Sequence, residues 1–300
     1  MAVNPKQYSA SAIGSKACDL IHTLTEGMIF GVTSRGIFIK TDSRWLIFLS
    51  YELHPGPLTI NVPAARHADI EIKPGDLVKI EFGRLSHQDQ NLVISAQHLN
   101  AWQPRPPAFP ALPRPDLHKR LISAAEHITH SGNLGGLTDL LPNLLPIPGR
   151  PSTGAEQIPH WYEKIRILVQ DTNEHQSPAS IIELLGTGPG LTPSGDDFII
   201  GYLLAQSRWG HILPAHENQD QFNQQIVSAA YQKTTTLSAN LIECAAQGLA
   251  DQRLISALDW LVSETPDDIQ VIDDLLTWGS SSGGDAFVGF VAVLSGWISK

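Results

Sequence analysis

Cysteine is nearly absent: the 300 residues hold two, Cys18 and Cys244, far apart and in no C-x-x-C pair. That excludes a disulfide framework and a zinc ribbon. Basic residues are few as well. Twenty Lys and Arg stand against 30 Asp and Glu, a formal net charge of −10. The missing basic surplus argues against generic binding to nucleic acid or to an anionic membrane surface. A small anionic ligand stays possible, because backbone N–H groups at a helix start hold one whatever the global charge. No run of about 18 apolar residues marks a membrane span. No apolar stretch of a signal peptide follows residues 1–8, so the expected location is the cytoplasm. The 12 histidines are scattered, with no H-E-x-x-H or other ligand cluster.

What is present is enough apolar residue, 42%, with 17% charged, to bury a core. Between residues 27 and 100 the chain reads as short strands. The runs 28–32, 36–40 and 45–49 are rich in aromatic and β-branched residues and are separated by turn residues. Lys73-Pro74-Gly75-Asp76 turns into the alternating run 77–82, and alternation returns in 91–94. Six prolines among residues 103–115 cannot continue a helix or a central strand. Beyond them apolar spacing turns helical, and helices are expected at about 117–128, 159–171, 178–185, 196–208, 218–231, 237–249, 251–263, 267–277 and 284–298. The expected fold is α+β: a β-rich, barrel-like domain over 20–103, a proline-rich connector over 104–115, and a mainly helical domain over 116–300.

The strongest chemical signal is Gly186-Thr187-Gly188-Pro189-Gly190-Leu191-Thr192-Pro193-Ser194-Gly195-Asp196-Asp197, between two apolar helices. Its glycines permit positive φ and close approach to a ligand, and its hydroxyls donate hydrogen bonds. It is no P-loop, since no Gly-Lys-Ser/Thr closes it, and G-x-S-x-G is absent from the chain. A long capped loop with Ser194 or Asp196 as N-cap is the plainer reading. That reading accounts poorly for an echo. Ser194-Gly195-Asp196-Asp197 through Gly201-Tyr202 lines up with Ser282-Gly283-Gly284-Asp285 through Gly289-Phe290, at an offset of 88 residues for both Ser194/Ser282 and Asp197/Asp285. Each Asp shares a helix face with the Gly four residues on, where a neighbouring backbone can pack closely. A third polar run, Lys233-Thr234-Thr235-Thr236-Leu237-Ser238, opens another helix.

The expected site therefore gathers Asp197, Asp285 and Ser194 as catalytic groups. Gly188, Gly190, Thr192, Gly195, Thr236, Ser238, Ser282 and Gly283 are expected to bind the substrate. Asp196 and Asp197 can hold Mg²⁺ through oxygen, or an aspartate can serve as general base. No Lys or Arg lies between Arg166 and Arg208, so an anion is expected to meet N–H groups and hydroxyls of residues 192–197 first, with the Asp side chains turned away to hold the loop.

These three motifs together resemble a bacterial family, once known only as a domain of unknown function, that includes a subunit of oxamate carbamoyltransferase in allantoin breakdown. The resemblance covers residues 180–295; Gly284 is a position where the family varies. It implies a transferase of purine catabolism that moves a carbamoyl group between oxalurate and phosphate, giving oxamate and carbamoyl phosphate. It also implies a multi-subunit complex, with a small anionic substrate and other enzyme subunits as partners. The same residues fit a non-catalytic subunit that senses the ligand or scaffolds the complex.

Overall fold

The computed structural model describes residues 6–65, 72–87, 92–131, 136–147, 177–212 and 218–298, with Gly149, Glu163 and Ile165 besides. The chain divides into two units, Met1–Pro104 and Arg105–Lys300.

Among its described residues the first unit is a curled half-barrel of ten strands. They are β1 Lys6–Ser9, β2 Ala12–Gly14, β3 Glu26–Thr33, β4 Gly36–Thr41, β5 Leu46–Ser50, β6 Thr59–Asn61, β7 Leu77–Glu81, β8 Arg84–His87, β9 Leu92–Ser95 and β10 Ala101–Trp102. Helix α1, Ser15–Thr23, follows β2. The strand order is β1-β9-β8-β7-β3-β4-β5-β6-β2-β10. Alternation drives the packing: Ile29, Ile37, Ile39, Ile47 and Ile60 are buried, while Met28, Phe30 and Leu77 face out. The sheet begins well before residue 20. β1 is polar and exposed and pairs in parallel with β9, so it carries no alternation to read. β10 is two residues long. The β7–β8 hairpin turns on Phe82 (φ 47°) and Gly83 (φ 79°), both left-handed as a two-residue primed turn requires.

The second unit is helical: α2 Arg114–His130, a 3₁₀ turn Gly136–Leu140, α3 Leu141–Leu144, α4 Pro178–Ile182, α5 Ser194–Trp209, α6 Gln219–Lys233, α7 Thr236–Ala246, α8 Gln252–Val262, α9 Gln270–Leu276 and α10 Ser282–Ile298. The helix expected over 159–171 falls almost wholly outside the described residues. Ser177 caps α4 as its sequence promised, its side chain accepting from Ser180 N. The end of the proline segment belongs to this unit. Leu112 N donates to Val262 O and Glu264 N to Pro110 O, and α2 starts at Arg114 with a proline in its first turn. Arg120 seals the end of α8 by donating to the carbonyls of Trp260, Ser263 and Thr265.

α5 is the centre of this unit. It is buried on nearly every side, as a helix apolar all round must be. It packs on α10 through glycine. A Cβ on Gly201 would lie 2.0 Å from Ala286 O, and one on Gly289 would lie 2.2 Å from Phe198 O. Gly201/Gly289 and Phe198/Ala286 share the 88-residue offset, so the contact is the same seen from either helix.

Candidate active site

The starts of α5 and α10 are built alike. Gly188 (φ 103°) folds over the start of α5, where a Cβ would meet Ser194 N at 2.9 Å. Gly279 (φ 70°) folds over the start of α10, where a Cβ would meet Ser282 Oγ at 2.5 Å. One residue in, Gly195 abuts Leu184 O and Gly283 abuts Leu275 O. Gly195 N donates to Thr187 O and Gly283 N to Trp278 O, both at 2.9 Å. Within the helices the offset is 88 residues; before them, at Leu184/Leu275 and Gly188/Gly279, it is 91. The repeat is thus a helix, glycine turn and helix, with a loop three residues shorter in the second copy.

This construction buries Ser194, Asp197, Ser282 and Asp285 together, with both aspartates fully shielded from solvent. The arrangement crosses over. The hydroxyls that bear on Asp197 are those of Ser282 and Thr192; those that bear on Asp285 are Ser194 and Ser281. Thr192 Oγ1 and Ser282 Oγ share a hydrogen bond of 3.2 Å, tying the first loop to the second helix. Asp285 Oδ1 accepts from Leu137 N at 2.5 Å. The neighbouring serines and Thr192 stand near enough to favour charge on the carboxylates without meeting hydrogen-bond geometry. Both oxygens of Asp197 and Oδ2 of Asp285 are therefore buried without a partner.

Burial governs the electrostatics. Loss of solvent holds the Asp197 carboxyl well above the usual carboxylate range. The Ser282 and Thr192 hydroxyls pull the other way, and the negative charges of Asp285 and Asp196 add to the rise. Burial pushes Asp285 up to about 6 against the pull of the Leu137 amide.

Asp196 points elsewhere. One oxygen accepts from Gly186 N at 2.8 Å and the other from Thr234 Oγ1. Burial raises its pKa too, opposed by these bonds and by nearby Ser238. Asp196 is a staple between the glycine loop and the start of α7, and Thr235 Oγ1 adds a bond to Leu191 O. For the expected metal pair of Asp196 and Asp197, both Asp196 oxygens already accept hydrogen bonds, and adjacent residues on a helix point about 100° apart. Ser238 is buried beside Asp196, and Thr236 is exposed at the head of α7. Neither is among the hydroxyls that bear on Asp197 or Asp285. Gly190 is exposed, while Gly195 and Gly283 are packing positions against carbonyls.

The amides also differ from expectation. Gly195 N is bonded to Thr187 O, and Asp196 N and Asp197 N are both bonded to Pro193 O. In the second copy Asp285 N is bonded to Ser281 O. These N–H groups serve their own loops, and it is the Asp197 carboxylate that stands free. Among the described residues, no group of three or more His, Cys, Asp or Glu is placed to hold a metal.

Gly136 and Leu137 are the site residues that sequence reasoning missed. Gly136 (φ 87°) lets the 3₁₀ turn close on Asp285, where a Cβ would lie 2.3 Å from Oδ1. A signal existed: Gly136-Leu137-Thr138 repeats the Gly190-Leu191-Thr192 of the first loop.

Residues 184–294 match the sequence model of a protein family described as oxamate carbamoyltransferase subunit AllH. This is the family that the motifs resemble, and the match takes in both helix starts and everything between them. It covers a little over a third of the chain. No solved structure matches the chain. Among the described residues no helix is long and apolar enough to cross a membrane.

Proposed function

We propose that this chain is a subunit of a carbamoyltransferase that interconverts oxalurate plus phosphate with oxamate plus carbamoyl phosphate. The observation that supports the reading most is the pair of matched helix starts inside the family-matched segment, which bury two aspartates and their serines at one place. Structural roles explain Asp196 fully. They leave Asp197 with two buried oxygens and no partner, which a folded protein tolerates mainly where function asks for it.

In this reading a phosphate oxygen attacks the carbamoyl carbon of oxalurate. The C–N bond to the oxamate portion breaks, and the oxamate nitrogen takes a proton. Negative charge grows on the carbamoyl oxygen as the tetrahedral intermediate forms, and the hydroxyls of Thr192, Ser194 and Ser282 are the donors set to meet it. Two aspartates beside an anion repel it unless a proton or cation offsets their charge. Asp197 and Asp285 are the groups that take up that positive charge. The chain works with other subunits and needs no membrane or nucleic acid.

Isothermal titration of the intact chain with phosphate, carbamoyl phosphate and oxamate tests the reading. Saturable heat with at least one of them, weakened by Ser194→Ala and by Ser282→Ala, is the expected result. No heat and no thermal stabilisation with any of the three overturns it and leaves a scaffold.

A further inference from the structure

The Asp197–Asp285 pair is unusual less for being acidic than for being unanswered. Three carboxylate oxygens, both of Asp197 and Oδ2 of Asp285, are buried with no hydrogen-bond partner. The amides that normally answer a carboxylate at a helix start are already bonded within their own loops, at Gly195, Asp196, Asp197, Gly283 and Asp285. Among the described residues, the side chains that bear on the pair bring hydroxyl oxygen: Thr192, Ser194, Ser281 and Ser282. A place lined by carboxylate and hydroxyl oxygen, with five of its N–H donors bonded within their own loops, suits a positive ion better than a bare anion.

The donor set names the class of ion. A donor set of oxygen, with no Cys or His among the described residues there, selects a hard cation over zinc or copper. Two carboxylates fall short of a protein-only cage, which fits calcium poorly. Mg²⁺ is commonly held by one or two carboxylates with substrate phosphate and water completing its shell. The other aspartate of the loop does not compete, because Gly186 N and Thr234 Oγ1 occupy both oxygens of Asp196.

We propose that Asp197 and Asp285 together hold one hard divalent cation, Mg²⁺ or Mn²⁺, and that this cation in turn grips the anionic substrate. The inference rests on the reading of this place as the substrate site. It resolves the charge conflict there, since an ion between two carboxylates turns a repelling site into an attracting one.

Titration of the intact chain with Mn²⁺, followed by electron paramagnetic resonance, tests it first without and then with inorganic phosphate. The expected result is one saturable Mn²⁺ per chain, displaced by Mg²⁺. Asp197→Asn and Asp285→Asn should each weaken it by about tenfold or more, while Asp268→Asn, at an exposed residue just before α9, should not change it. Absence of saturable Mn²⁺ in the wild-type chain, with and without phosphate, overturns the proposal whatever the variants do. So does Mn²⁺ binding that survives both substitutions in folded protein. Phosphate or carbamoyl phosphate that binds as tightly in EDTA as in Mg²⁺ also overturns it, yet spares the functional reading. Mn²⁺ bound at this pair with no affinity for any of the anions does the reverse.

Discussion

Gly201 lies so close to Ala286 that a Cβ on it would sit 2.0 Å from the Ala286 carbonyl oxygen. The obstacle is backbone, which cannot rotate away, and the whole α5–α10 contact must open to admit a methyl group. Gly201→Ala is therefore expected to cost about 3 kcal/mol of overpacking, despite the ~1 kcal/mol that alanine gains over glycine in a helix interior. Gly289→Ala, with its Cβ 2.2 Å from Phe198 O, should behave alike. Urea unfolding of both variants checks this, and stability equal to the wild type would contradict the packing.

Asp285 makes stability depend on pH in a direction opposite to most carboxylates. Its folded pKa is raised from 3.8 to about 6. Below the unfolded value both states carry the proton and there is no cost. Between about 3.8 and about 6 the unfolded state has shed its proton while the folded state still holds one, so folding must take a proton up. The loss of stability grows across that window and levels off at about 3 kcal/mol above pH 7. Asp285→Asn keeps an acceptor for Leu137 N and removes the titration. Measured in EDTA, the variant should gain on the wild type between pH 4 and pH 8 by up to that amount. A difference that does not change with pH would contradict the burial of this group.

Asp196 and Asp197 should part company on substitution. Asp196→Ala removes the acceptor for Gly186 N and Thr234 Oγ1, and a hydrogen bond to a charged group contributes about 1.5–3 kcal/mol. It should lower stability by about 2 kcal/mol or more in thermal unfolding. Asp197→Asn removes a buried group with no partner and should leave stability unchanged or raise it. The reverse order would show that the two roles have been exchanged.

The β7–β8 turn offers a test in the first unit. Phe82 adopts φ 47° and is largely exposed, a conformation that asparagine tolerates better. Phe82→Asn should raise stability by roughly 0.5–1 kcal/mol. A loss of that size, by chemical unfolding, would mean that the phenyl ring is held by something.

How much of the fold and site was legible in the sequence depended on where each contact lies in the chain. Apolar residues marked every described helix from α4 to α10, because each buries apolar side chains along its length. The echo of Ser194–Asp197 in Ser282–Asp285 was legible because both members of the pair obey the same rule: serine at the start, aspartate one turn in, glycine one turn further. The rest of the repeat, Leu184/Leu275 and Gly188/Gly279, was hidden by a three-residue difference in loop length. That Asp196 and Asp197 serve different ends could not be read, since adjacent residues differ only in the direction the helix sends them. Leu137 reaches Asp285 across 148 residues, and no local pattern announces such a bond. β1 escaped because a polar edge strand has no buried face to alternate, and β2, β6, β8 and β10 because runs of two to four residues are too short to show a period.

Asp197 and Asp285 are proposed to serve the transfer itself, and turnover tests that most directly. In the complex assembled on this chain, Asp197→Asn should lower kcat for carbamoyl transfer between carbamoyl phosphate and oxamate by about a hundredfold or more, with the fold and the assembly intact. Unchanged kcat, with only an altered affinity, would contradict that role and make the site one that senses its ligand.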